Sequence, residues 1–198
     1  MPSIARKTER GLPRYVDLAD SDVFLLAGAE DLVPVSGLAD FDDGNERVRR
    51  YHPRTEGLFA RIERRTHLVS GDVYFRVVTK DNVTNTYGKS ASARIVDPAD
   101  GRRIFRWLLD ETRDDRGNVT VYEYKAENSD GVTASLFEAS RQRGAQRYLK
   151  RIRYGNRVAN PAQPSDWLFE VVFDYGDHAQ PWDANETATW PEIGRAHV

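Results

Sequence analysis

The sequence is divided into short runs of β-branched and aromatic residues, and each run is followed by Gly, Asp, Asn or Pro. The runs VYFRVVT at residues 73–79 and VTVYEYK at 119–125 show the pattern most clearly. Such short runs are typical of strands joined by turns, whereas an apolar period of 3.6 residues, which would indicate helices, is hard to find. We therefore predict a mainly β protein of antiparallel hairpins and meanders with little helix.

The clearest predicted hairpin joins residues 104–112 to 119–125 through a turn in which Gly117 is available for a positive φ angle. We expect Trp107 of this hairpin to lie in the core. Residues 134–143 are more polar and indicate either a short helix or an excursion between strands, and the polar stretch at 37–46 predicts a loop. The other predicted strands are residues 22–27, 32–35, 47–52, 58–68, 73–79, 83–87, 93–96, 148–156 and 167–176.

Composition excludes several classes of protein. The 198 residues are 39% hydrophobic and 30% charged, which suits one ordinary domain or two small ones. A net charge of -2 gives no excess of positive charge for nucleic acid, and we expect no nucleic-acid partner. There is no cysteine, so disulfides and thiolate sites are excluded. The apolar runs are too short for a membrane-spanning segment, and the N-terminus lacks the pattern of a secretory signal.

Histidines and serines give no catalytic pattern. His52, His67, His178 and His197 are too far apart in sequence for the paired-histidine spacing of a metal site. No G-x-S-x-G nucleophile motif occurs either. We predict no catalytic residue, no metal ligand and no cofactor-binding residue.

Carboxylates on neighbouring predicted strands offer the main enzymatic alternative. Asp110, Glu111, Glu123 and Glu127 lie on or beside the two strands of the central hairpin. Two carboxyl groups about 5 to 10 Å apart are sufficient for glycoside hydrolysis. Charged residues on the solvent face of a hairpin explain the same pattern, and we favour that interpretation.

Two charged segments have ligand-binding alternatives. The acidic stretch Asp40, Asp42, Asp43, Asn45 and Glu46 has oxygen ligands suited to calcium, but Gly44 takes the place of a side-chain ligand in an EF-hand loop. An acidic surface turn is the favoured interpretation, with another type of calcium loop as the alternative. The basic run 141–157 contains Tyr148 and Tyr154, and a charged sheet edge explains it better than nucleic-acid binding.

Several strings in order resemble a known family. GLPRY at 11–15, DVFLLAGAEDLVPV at 22–35, GDVYFRVVTKDNVTNTYG at 71–88, and QRYLKRIRYGNR with WLFEVVFDYGDH near the C-terminus are similar to the SpvB/TcaC N-terminal family. That family includes a Salmonella plasmid virulence protein and the B components of insecticidal Tc toxin complexes. The resemblance covers about residues 11–182.

The resemblance implies a noncatalytic structural module of a bacterial toxin or virulence protein, in which the hairpins form part of a larger β-sheet shell around a cytotoxic C-terminal segment. Its implied partners are other segments of the same toxin chain and other Tc toxin components. It implies release by a non-classical route, with residence in the bacterial cytoplasm beforehand. The alternative function is a carbohydrate-active enzyme or a glycan-binding β module. As a wall segment with edges, the isolated chain is expected to be poorly stable.

We divide the chain into four parts. Residues 1–10 are expected to be disordered or the start of a linker, and 11–182 form the partial β-rich module. Residues 183–191 are expected to continue that module. The last seven residues, EIGRAHV at 192–198, match the translation of a common sequencing adapter, so we expect them to be non-native and the module to be truncated.

Overall fold

The computed structural model describes residues 2–9, 11–55, 57, 59–128, 136–137, 139–140 and 143–178. The described residues form thirteen strands, with four short 3-10 turns and no α-helix. No helix in the described part of the chain is long and apolar enough to cross a membrane. The strands are β1 (Ser3–Arg6), β2 (Phe24–Leu26), β3 (Glu30–Pro34), β4 (Phe41–Asp43), β5 (Glu46–Pro53), β6 (Arg61–His67), β7 (Val73–Val78), β8 (Thr84–Tyr87), β9 (Arg94–Asp97), β10 (Asp100–Arg113), β11 (Val119–Ala126), β12 (Arg147–Asn156) and β13 (Trp167–Val172).

Eight of the strands close into a barrel. They follow the order β1, β2, β3, β5, β6, β7, β8 and β10, and β10 pairs back onto β1. All of these pairings are antiparallel, which confirms the predicted class and the predicted meanders. Closure leaves no free edge within the ring.

Strand β1 corrects the expectation that residues 1–10 are disordered or a linker. Ile4 is fully buried in the main core, and its cross-strand partners are Leu26 and Trp107. Only one large apolar residue of this strand enters the core, so the segment is too short to show an alternating pattern in the sequence. Its strand conformation follows from pairing on both edges.

Strand β10 connects the barrel to a second part of the sheet. Its N-terminal half pairs with β1 and β9, and its C-terminal half pairs with β8 and β11. From there β11, β12 and β13 continue the sheet outside the barrel, and we call these three strands the distal sheet. A second small core of Ala93, Leu108 and Tyr124 lies where the distal sheet meets the barrel.

Aromatic side chains fill the barrel. Trp107 is fully buried, as predicted, and its ring lies 5.0 Å from that of Phe75 and 5.7 Å from that of Phe24, measured between centroids. The indole N–H donates to the carbonyl of Val73 over 2.8 Å. Edge-to-face packing of this kind adds to the free energy of simple burial. The interior is therefore a packed core.

Arg6 is a buried charged side chain of the barrel with partners for its guanidinium. Arg6 donates to the Ile104 carbonyl over 2.8 Å and to Asp17 and Asp22 over 2.6 and 2.8 Å. Its guanidinium also lies 4.8 Å from the Tyr15 ring. Because a buried charge is costly without partners, this network ties the segment between β1 and β2 to the buried Arg6.

The stretch predicted as a loop at 37–46 is partly a hairpin. Strand β4 pairs with β5, and Gly44 at the turn between them has φ +61°. The acidic strand was missed because Asp is depleted in strands, and here cross-strand pairs with arginine offset its poor propensity. The predicted segment 134–143 falls largely on residues that the structure does not describe, as do 183–191, 192–198 and His197.

Candidate functional site

The outer strand of the distal sheet carries an unusual number of exposed apolar side chains. In the described part of the chain β13 pairs only with β12, so its other edge is open. Phe169 and Leu168 are each 54% exposed. Large apolar side chains clustered on an open strand mark an interaction surface. We define the apolar edge as Tyr154, Leu168, Phe169, Val171, Val172 and Phe173.

The two faces of the distal sheet differ in chemistry. Tyr154 and Phe169 are cross-strand partners, and their rings stack with centroids 5.1 Å apart and planes 23° apart. The next pair on the same face is Ile152 with Val171. Directly opposed residues of antiparallel strands share a face, so this face is apolar.

The opposite face carries a row of paired charges. Arg153 pairs with Glu123 on β11 and with Glu170 on β13, and Arg151 pairs with Glu170 over 2.7 Å. On β11 and β12 this face is therefore charged, whereas the face of Tyr154 and Phe169 is apolar. On β13 the exposed Val172 lies opposite Arg151, so the apolar edge reaches both faces of this strand.

Gly155 lets β13 approach closely. Its φ is +69°, and a Cβ placed there would lie 3.0 Å from the Phe169 ring and 3.2 Å from the Leu168 Cβ. The glycine therefore sets how Phe169 lies against β12.

The segment after β13 folds back onto the charged face. The Lys150 ammonium donates to both Asp177 oxygens over 2.9 and 2.8 Å, and its nitrogen lies 2.7 Å from His178 Nε2. Lys125 donates to the same carboxylate over 2.5 Å. Tyr175 donates its hydroxyl to the Leu149 carbonyl over 2.8 Å. We call Lys125, Lys150, Tyr175, Asp177 and His178 the clasp.

The clasp is built around a lysine ammonium. Asp174, Asp177 and His178 place three potential metal-ligand atoms within 4.8 Å of one another, but the ammonium of Lys150 is in direct contact with two of these residues. Burial raises the pKa of Asp177, and the hydrogen bonds from Lys125 and Lys150 outweigh it, so the pKa lies well below its ordinary value. This geometry is that of a buried ion pair.

The carboxylates considered for glycoside hydrolysis are each engaged. Glu111 pairs with Arg113 over 3.1 Å, Glu123 pairs with Arg153, and Asp110 accepts hydrogen bonds from Ser90. These contacts give the three carboxylates a structural role in the central hairpin. Glu127 is buried and directly follows β11.

The structure brings one serine, one histidine and one aspartate together. His67 Nδ1 lies 3.2 Å from the Ser70 hydroxyl, which donates to Asp72 over 2.7 Å. In a catalytic triad the aspartate contacts the histidine, and here it contacts the serine and Arg94. The group stabilises the turn between β6 and β7. His52 contacts the Pro53 carbonyl, and His178 belongs to the clasp.

Salt bridges pair the carboxylates of the acidic stretch and part of the basic run. In the acidic stretch, Asp40 pairs with Arg49, Asp42 with Arg47, and both Asp43 and Glu46 with Arg65. In the basic run, the acidic residues of β11 and β13 hold Arg151 and Arg153. At these paired positions the charge that a calcium ion or a phosphate backbone would need is compensated by the chain itself.

Sequence reasoning missed both the apolar edge and the clasp. The run WLFEVVF at 167–173 does not alternate, and a strand exposed on both faces cannot be distinguished from one buried on both faces by periodicity alone. Lys150 and Asp177 are distant in the chain, so no local spacing links them.

Comparison with protein families gives one match across almost the whole chain. Residues 1–194 match the family described as SpvB, Salmonella virulence plasmid 65kDa B protein. The mono(ADP-ribosyl)transferase SpvB of Salmonella typhimurium is 36% identical over 198 residues, covering 88% of this chain and 33% of the relative. The chain thus spans about a third of the length of the curated relatives that it matches.

Solved structures with the same fold include one domain and two complexes. The N-terminal domain of the effector protein SpvB from Salmonella typhimurium strain LT2 superimposes with a TM-score of 0.82 at 33% identity, covering 96% of this chain and 66% of that one. A TcdB2-TccC3 crystal structure gives a TM-score of 0.85 at 30% identity, covering 96% and 10%. The Photorhabdus luminescens Tc holotoxin pore gives 0.83 at 30%, again covering 96% and 10%.

Proposed function

Because the chain belongs to the SpvB family, whose description is Salmonella virulence plasmid 65kDa B protein, we propose that this toxin-associated structural module is a noncatalytic wall segment of a larger toxin or virulence protein. The curated relatives are named transferases, but only a third of their length corresponds to this chain. The solved SpvB match is an N-terminal domain. The transferase activity therefore remains a property of those longer proteins.

The apolar edge is the observation that carries the proposal. A strand with an open edge and exposed Phe169, Val171 and Phe173 is a liability in a free protein, and it is suited to pairing with a further strand. The described barrel interior is filled by its own aromatic side chains, which supports a scaffolding role over ligand turnover.

We propose that further strands of the same longer chain extend the distal sheet at β13 and cover its apolar face. By analogy with the Tc complexes among the structural matches, the partners are other toxin segments and other toxin components. The assembled wall would enclose a cytotoxic C-terminal segment. Such a protein would be made in the bacterial cytoplasm and act after release.

A pair of substitutions on β13 tests this proposal. Phe169→Glu places a charge on the apolar face, whereas Glu170→Gln changes the opposite face of the same strand. In a full-length family protein containing this chain, we expect Phe169→Glu to make the region around β13 sensitive to protease and Glu170→Gln to leave it resistant. In the 198-residue chain alone, Phe169→Glu should leave the melting temperature unchanged because this ring is already half exposed.

Equal protease resistance of both full-length variants would reject the wall assignment. Loss of the cooperative thermal unfolding transition in the isolated Phe169→Glu chain would show instead that the Phe169 ring belongs to the core.

The stacked Tyr154 and Phe169 rings favour one alternative, a glycan-binding β module. Exposed aromatic faces on a sheet form platforms for sugar rings, and these two rings are 41% and 54% exposed. A glycan array with the wild-type chain and the Phe169→Ala variant distinguishes the two functions. Binding that is lost in the variant would favour the glycan-binding module.

A further inference from the structure

A separate groove lies on the outer face of the barrel, across strands β2, β1 and β10. Ala5 is the cross-strand partner of both Leu25 and Arg106. Opposed residues share a face, and the neighbouring residues Ile4 and Trp107 point into the core, so these three side chains point outward. The groove they form has a volume of about 620 Å³.

Small residues create the depression. Ala5 and Ala27 lie along its lining, and larger side chains of Leu25 and Phe105 stand beside them. Strand β1 is hydrogen-bonded on both edges, to β2 and to β10, so the groove cannot accept an added strand. A ligand must be recognised through side chains.

Arg106 gives the groove its charge preference. Most arginines of the described barrel and distal sheet have a carboxylate partner, but no described carboxylate lies within 4 Å of the Arg106 guanidinium. Its guanidinium carbon lies 5.7 Å from the centroid of the Phe105 ring. An unpaired guanidinium beside apolar surface is complementary to a carboxylate next to an apolar side chain.

The dimensions fit a short extended peptide. Crossing from β2 to β10 covers two interstrand spacings, about 10 Å, which is roughly three residues of extended chain. We proposed above that further strands of the same chain extend the sheet at β13. In the sheet, β10, β11 and β12 separate β13 from β1, so the groove lies away from that extension. We propose that the groove docks an extended segment of a separate polypeptide in which an acidic residue lies beside an apolar one.

The probe is a phage-displayed library of random twelve-residue peptides. The library is selected for binding to the intact 198-residue chain. We expect the enriched peptides to share an Asp or Glu next to an apolar residue. A synthetic peptide of the enriched sequence should bind Arg106→Gln at least tenfold more weakly than the wild type. Arg103→Gln is the matched control, because Arg103 lies on the same strand and already pairs with Asp97.

A charge reversal sharpens the test. In Arg106→Glu, selection from the same library should enrich Lys or Arg in place of the acidic residue. Melting curves must first show that each variant retains the wild-type unfolding midpoint. If Arg106→Glu does not fold, Leu25→Asp serves as a second variant of the groove. No enrichment on the wild-type chain, or enriched peptides that bind Arg106→Gln as tightly, would overturn the proposal.

Discussion

Two glycines with positive φ have different surroundings. Gly88 has φ +66°, and a Cβ there would lie 2.4 Å from the Cδ1 atom of Trp107. Gly117 has φ +87° and open space around it, as expected for a turn. The barrel therefore needs Gly88 for packing as well as for backbone conformation, whereas the β10–β11 turn needs Gly117 only for backbone conformation.

Alanine substitutions at these two positions should therefore differ in cost. Gly117→Ala should lower the free energy of unfolding by about 1 kcal/mol because of the positive φ angle. Gly88→Ala should lose that amount and a further ~1 to 3 kcal/mol from overpacking against Trp107. Urea denaturation of both variants measures the difference. Equal losses in the free energy of unfolding would show that Trp107 moves aside without strain.

Trp107 is the central residue of the core. Trp107→Ala should cost about 3 to 5 kcal/mol because it removes a fully buried ring from an aromatic cluster. The control Leu168→Ala, at a half-exposed position, should stay within about 0.5 kcal/mol of the wild type. Unchanged stability of Trp107→Ala in denaturant melts would contradict the core assignment.

The clasp predicts a pH dependence. The pKa of Asp177 is lower in the folded chain than in the unfolded chain, so its ionised form adds stability above the unfolded value of about 4, and this stability is lost as pH falls. The stability difference between wild type and Asp177→Asn should therefore be largest near neutral pH and shrink below about pH 4. Asp174→Asn, on the exposed side of the same segment, should show no such trend.

At the scale of elements, the sequence predicted the strands where composition and turns agree. The hairpin of β10 and β11 and the meander of β6 to β8 follow from β-branched runs bounded by Gly and Asn. It failed at β1 and β4, where the strand is stabilised by pairing with neighbours distant in sequence, such as Ile4 with Trp107. Tertiary pairing of this kind overrides local propensity.

The candidate sites were predictable only in part. Glu111 and Glu123 were correctly placed on neighbouring strands, but their arginine partners depend on register and side-chain direction. The clasp brings Lys150 to Asp177 after the chain turns back from β13. The spacing of Lys150 and Asp177 in the sequence does not indicate that contact.

At the scale of the whole molecule, closure of the barrel changes the expectation that the isolated chain is poorly stable. An open wall fragment would have no core of its own, whereas the described barrel has a closed ring of strands around fully buried Ile4, Phe75 and Trp107. We therefore expect the barrel to melt cooperatively in the isolated chain. The distal sheet is the part of the chain whose apolar side chains remain exposed.

Strand β1 is the element on which closure depends. Ile4→Asp would place an unpaired charge in the core, so we expect loss of the cooperative melt. Ser3→Asp, on the less buried neighbouring position, should retain it. A cooperative melt in the Ile4→Asp variant, measured by circular dichroism, would show that the barrel does not require β1.

The central claim is that β13 is an internal strand of a larger wall in the longer protein. The N–H of Phe173 donates to the carbonyl of Lys150 on β12, so strand alternation directs the N–H groups of Glu170 and Val172 away from β12. Amide hydrogen exchange reads these groups directly. The account predicts fast exchange at Glu170 and Val172 in the isolated 198-residue chain and strong protection in the full-length family protein. Fast exchange at both positions in the full-length protein would contradict it.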